Sequence, residues 1–154
     1  MKSTLIVYSS TDGQTKKICS RIQDCLGNDS YSNIMSIKEV TEDDLKKSDR
    51  IIIGASIRYG KHKKELFNFI DSNLVELEKK DNAFFSVNVV ARKAEKNTAE
   101  TNPYVQKFLL KTSWVPKNLA VFAGKIDYPK YNLIDKYMIR FIMWITKGPT
   151  DTKN

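Results

Sequence analysis

Two observations predict an α/β fold built on a five-stranded parallel sheet with helices on both faces. Short apolar runs alternate with helix-period stretches along the chain. The run Arg50-Ile51-Ile52-Ile53-Gly54-Ala55 is also almost continuously apolar, as a strand buried on both faces must be. Strands alternating with helices call for right-handed crossovers. The 154 residues suit one domain spanning 1–154, long enough to bury a core.

The elements follow in order. Residues 3–8 read as the first strand. Residues 14–26 read as a helix whose apolar face holds Ile18, Ile22, Cys25 and Leu26, which makes Cys25 a core residue. Residues 31–37 form a weak strand, and 42–47 a short acidic turn or helix. The Arg50 run is the third strand. A helix over 62–78 presents Leu66, Phe67, Ile70, Leu74 and Leu77. Residues 83–90 make the fourth strand. Asn102-Pro103 supplies an N-cap and a first-turn proline for a helix reaching about Lys111. Residues 119–124 make the fifth strand, and a long insertion or helix follows over 127–148.

Composition narrows the function classes. No apolar run is long enough to span a bilayer, and the N-terminal apolar run is too short for a secretory signal, so a cytoplasmic protein is expected. Cys19 and Cys25 lie six residues apart on one helix, about 9 Å, beyond disulfide reach. No CxxC or Cys/His cluster is present, and no metal site is expected. His62 stands alone among lysines and reads as an exposed side chain. The net charge of +8 admits nucleic acid, anionic lipid or an acidic small molecule as partner, or a merely solvated basic surface. Nucleic acid is set aside, because the basic residues are dispersed and no recognition signature occurs.

In an open parallel sheet, ligands bind beyond the carboxyl ends of the strands. The loop "YSSTDGQT" (8–15) joins the first strand to the first helix. The free N–H groups and dipole of a helix N-terminus favour an anion. Ser9, Ser10, Thr11 and Thr15 add hydroxyls, Gly13 admits close backbone approach, and Asp12 reads as a cap turned away. The loop lacks both GxxxxGK[ST] and GxGxxG, so it suits a phosphate monoester. An ordinary strand–helix turn has the same spacing. The loops "ASIRYGKHKK" (55–64) and "NVVARKAEKN" (88–97) place apolar or aromatic groups beside bases, as a flat heterocycle requires. Together the three loops describe a mononucleotide site.

On "DGQT" (12–15), "IGASIRYG" (53–60), "FSVNVVARKAEKNT" (85–98), "AGKIDYPKY" (123–131) and "TDTK" (150–153), the chain resembles the flavodoxin superfamily. Within it, the chain resembles the menaquinone-dependent protoporphyrinogen oxidase (dehydrogenase) family. The resemblance implies a flavodoxin-like fold and bound FMN. Ser10, Thr11, Asp12, Gly13, Gln14 and Thr15 would hold the phosphate. Ser56, Ile57, Arg58, Tyr59 and Gly60 would flank the isoalloxazine on one side, and Asn88, Val89, Val90, Ala91, Arg92 and Lys93 on the other. It implies oxidation of protoporphyrinogen IX to protoporphyrin IX in haem synthesis, with electrons passed to menaquinone or ubiquinone. Arg58, Arg92 and Lys93 are candidates for the substrate carboxylates. No catalytic base is assigned.

Residues 127–148 interleave Tyr131, Tyr137, Phe141 and Trp144 with Lys130, Lys136, Arg140 and Lys147. A basic aromatic helix of this kind suits an anionic membrane surface, and equally a helix covering the sheet. The resemblance favours the former, with peripheral association at the inner face of the cell membrane. The resemblance implies chains that continue past the TDTK motif, whereas this one stops at Asn154, as either a naturally short product or a truncated one would. The other readings are a flavodoxin-like electron carrier without its own substrate, and a non-catalytic remnant.

Overall fold

The computed structural model describes residues 2–9, 14–27, 30–58, 61–88 and 100–122. The insertion expected at 127–148 and the TDTK motif lie outside them. Five strands, β1 (Lys2–Ser9), β2 (Ser30–Ser36), β3 (Arg50–Arg58), β5 (Asp81–Val87) and β6 (Leu119–Phe122), form a parallel sheet in the order β2-β1-β3-β5-β6. The two-residue β4 (Lys61–His62) pairs antiparallel with the end of β3, an element the sequence does not announce. The order runs outward in opposite directions from β1 and from β3, so their carboxyl ends mark the switch point where open sheets bind ligands.

Period-two alternation divides the core between the two faces. Ile6, Ile52, Phe85 and Phe122 face one side, where they meet Ile18, Cys19, Ile22 and Leu26 of α1 (Gln14–Leu26). Leu5, Val7, Ile51, Ile53 and Phe84 face the other. There they meet Leu45 of α2 (Glu42–Lys46), Leu66 and Ile70 of α3 (Lys64–Ser72), Leu77 of α4 (Leu74–Lys79) and Phe108 of α5 (Pro103–Lys111). The helix expected over 62–78 is thus two helices broken at Asn73, preceded by β4. Asn73 leaves helical geometry, and its amide donates to the Phe69 carbonyl at 2.9 Å.

The buried cysteine of α1 is Cys19. Cys25 is only partly buried and packs against the margin of the same core. Burial pushes the Cys19 thiol up to about 12, so it is an inert core group. Two glycines are required by geometry. Gly27 closes α1 in the left-handed region (φ 68°). Gly54 lies under the Phe85 ring, which a Cβ would overlap.

Candidate functional site

The carboxyl ends of β1, β3 and β5 bring the predicted loops to one edge of the sheet. Gln14 opens α1, and Thr15 follows it inside the first turn. The Thr15 side chain is fully buried, yet its Oγ1 has no hydrogen-bond partner. An unmet buried hydroxyl costs about 1–3 kcal/mol. Here it lies where helix amides and dipole attract an anion, and no acidic residue occupies the first turn of α1. Thr15 therefore fits a phosphate. The other unmet buried polar atom among the described residues is Trp114 Nε1, inside an aromatic cluster, and nothing in the structure explains it. Ser10, Thr11, Asp12 and Gly13 lie outside the described residues.

Ser9, the last residue of β1, donates from Oγ to Glu65 Oε2 at 2.8 Å, tying the base of this loop to the first turn of α3. In the second loop, Ser56 is buried and Ile57 half-buried. Ile57 pairs with His62, and Arg58 with Lys61, so residues 59–60 join two paired strand ends. Tyr59 and Gly60 are outside the described residues, as are Val89, Val90, Ala91, Arg92 and Lys93 of the third loop.

His62 corrects the sequence expectation. It is only 5% exposed, because its pairing with Ile57 draws the ring inward against the aromatic cluster of β5 and α5. Its ring meets Phe84 and Phe108 edge-on, each with centroids 5.7 Å apart. Burial lowers its pKa from 6.5 to about 4, so the ring is neutral at pH 7. Its Nε2 lies 2.9 Å from Ser86 Oγ. Asn88 Nδ2 donates to the same Oγ at 3.1 Å and to Asn102 Oδ1 at 3.1 Å. Asn102 Nδ2 returns a bond to Asn88 Oδ1 at 2.9 Å. Asn102 Oδ1 also caps α5 by accepting from the Tyr104 and Val105 amides. All four side chains are buried.

This network is a clamp. The reciprocal amide pair closes the two ends of the 89–101 connection, and His62 joins them to the strand that returns from the 59–60 connection. Both loops predicted to flank the heterocycle thus depart from one hydrogen-bonded base.

Of the predicted residues, the structure brings Thr15, Ser56, Ile57 and Asn88 to the same edge, with the backbones of Gln14 and Arg58. Sequence reasoning missed Ser86, Glu65 and the role of His62. Asn102 was legible only as a cap. The clamp joins residues up to 40 positions apart, so no local signal reports it. Its one sequence trace is the pair of asparagines, at the end of β5 and the start of α5.

A family model described as a flavodoxin domain matches residues 5–153. A Leishmania major protein named protoporphyrinogen IX dehydrogenase [quinone] is 42% identical over 150 residues, covering 96% of this chain and 65% of that one. The chain thus spans just under two thirds of that relative. An Escherichia coli protein of the same name is 40% identical over 151 residues, covering 97% of this chain and 83% of that one.

Solved structures share the fold at lower identity. A short-chain flavodoxin associated with a bacterial microcompartment superposes with TM-score 0.68 at 15% identity, covering 96% of this chain and 98% of its own. A Fusobacterium nucleatum flavodoxin solved with flavin mononucleotide gives 0.56 at 16%, over 96% and 98%. The expected flavodoxin-like α/β architecture is the observed one.

Proposed function

This chain belongs to the flavodoxin-domain family, and from that premise we propose that it binds FMN and oxidises protoporphyrinogen IX to protoporphyrin IX, with a quinone as electron acceptor. The observation that carries the cofactor is Thr15, a buried hydroxyl without a partner at the N-terminus of α1. The relatives named for this activity, at 40–42% identity over nearly the whole chain, carry the reaction.

Bound FMN supplies the two-electron redox chemistry, and the protein supplies position and field. Thr15 would donate to the phosphate together with the first-turn amides of α1, and residues 10–14 are those expected from the sequence to complete that cradle. The buried clamp of His62, Ser86, Asn88 and Asn102 holds the bases of the two loops, 56–60 and 88–93, that are expected to flank the ring. A neutral His62 keeps that base free of an unpaired buried charge. Arg58, Arg92 and Lys93, on the loops expected beside the ring, would steady the reduced flavin with their positive charge. The net charge of +8 supports an anionic membrane surface as a further partner, with menaquinone or ubiquinone drawn from the bilayer. Among the described residues, no helix is long and apolar enough to cross a membrane.

The test is an anaerobic assay of purified protein with saturating FMN and protoporphyrinogen IX, with and without a soluble quinone. Porphyrin fluorescence is read against an enzyme-free control. Quinone-dependent porphyrin production is the expected result. FMN binding without production would replace this reading with an electron-transfer protein.

A further inference from the structure

A groove of about 360 Å³ runs between α3 and α5. Four rings line it, those of His62, Phe67, Tyr104 and Phe108, with Phe108 packed 5.7 Å from both His62 and Phe67. Phe108 is held flat against Phe84 at 3.9 Å, which fixes the floor. Lys107 and Lys111 stand on the rim, with Leu110 between them. The Lys111 ammonium lies 4.6 Å from the centre of the Phe67 ring, and that of Lys107 lies 5.9 Å from Tyr104. No carboxylate lines the groove, and residues 103–122 contain no acidic residue. Neither lysine has a carboxylate partner among the described residues. Through His62 the groove adjoins Ile57, which belongs to a loop predicted to flank the flavin.

Resting on the reaction read above, we infer that this groove receives the propionate-bearing edge of the tetrapyrrole, with Lys107 and Lys111 each taking one carboxylate. Three features carry this. The partly exposed rings of Phe67 and Tyr104 offer an aromatic surface against which a pyrrole ring can lie. Two cations spaced i,i+4 on one helix face, with Cβ atoms about 6 Å apart, match two carboxylates on adjacent rings. The ammonium groups are already held over aromatic faces, so little side-chain freedom is lost when each takes a charge-assisted hydrogen bond. The volume lies at the small end of ligand pockets and suits one edge of the macrocycle, the remainder reaching towards the sheet edge. A lipid surface is the less suitable occupant, because the site is concave and walled by rings. Lys107 and Lys111 are therefore specificity-determining residues.

The experiment uses FMN-loaded protein and two probes, protoporphyrin IX and its dimethyl ester, with binding followed by porphyrin fluorescence. The wild type binds the diacid at least about tenfold more tightly than the diester, as two charge-assisted contacts require. The double variant Lys107→Gln/Lys111→Gln loses that preference. In turnover its KM for protoporphyrinogen IX rises about tenfold or more, while kcat and the KM for quinone change less than about twofold. Both lysines are exposed, and unchanged FMN affinity and circular dichroism confirm that the variant folds. Lys38→Gln/Lys46→Gln removes the same charge elsewhere and keeps the preference.

Equal binding of the two probes by wild type overturns the inference, and so does an equal effect of the distant pair. If the groove variant loses binding to phosphatidylglycerol vesicles but keeps its diacid preference, the groove is a lipid contact and the inference falls. Diacid preference in a protein that produces no porphyrin would sink the reaction and leave the subsite standing.

Discussion

The first strand–helix junction and the fourth lie on the same edge of the sheet but handle their buried polar groups differently. At β5–α5, the side chains of His62, Ser86, Asn88 and Asn102 satisfy one another. At β1–α1, the Thr15 hydroxyl is just as buried and has no partner. One junction is complete within the chain. The other is suited to completion by an anion. The contrast separates scaffold from receptor within a single site, and substitution at each should have opposite consequences for stability.

The largest effect belongs to the clamp. Asn102→Ala strips the cap of α5 and leaves the buried Asn88 amide short of a partner. It should lower stability by about 3 kcal/mol, the sum of a lost cap and an unmet buried amide. Urea denaturation of the FMN-free protein would read it. A loss below about 1 kcal/mol would show that the junction does not depend on this pairing.

The clamp should also carry a pH signature of similar size. Folding holds His62 neutral and depresses its pKa from 6.5 to about 4. Between those values the unfolded chain binds a proton that the folded chain does not. Stability should therefore fall as pH drops from 6.5 to 4, by about 1.4 kcal/mol per pH unit and about 3 kcal/mol in all. His62→Phe keeps the ring packing and should flatten that limb. A limb that stays equally steep in the variant would assign the loss to other groups.

At the receptor junction the sign reverses. Thr15→Val keeps the shape and removes the unmet hydroxyl, so the FMN-free protein should gain about 1 kcal/mol. The same change should weaken FMN binding by about tenfold or more, since one hydrogen bond to a charged group is worth about 1.5–3 kcal/mol. Denaturation and flavin-fluorescence titration measure the two halves separately. A loss of stability with unchanged affinity would reverse the assignment of receptor and scaffold.

The smallest effect serves as the reference. Thr41, an exposed residue outside the clamp, caps α2 through a reciprocal capping box with Asp44. Thr41→Ala should cost about 1 kcal/mol and leave FMN affinity unaltered. A change in affinity would mean that general loosening contributes to the other results.

The sequence by itself determined the periodic elements. Isoleucine and phenylalanine runs at 50–55 and 83–87 made buried strands legible, because period-two burial on both faces leaves almost no polar position. Asn102-Pro103 marked the start of α5 to the residue, since caps are local chemistry. The small-residue loop ending at Thr15 pointed to an anion for the same reason. Only the tertiary structure decided where isolated polar residues go. His62 sits among lysines, and its neighbours in the chain place it in water. Pairing with Ile57 instead turns it inward to Ser86, 24 residues away. The break at Asn73, the choice of Cys19 over Cys25 as the buried thiol, and the groove rimmed by Lys107 and Lys111 have the same origin. Each depends on which element packs alongside, and that neighbour is set by the crossovers of the sheet rather than by adjacent residues.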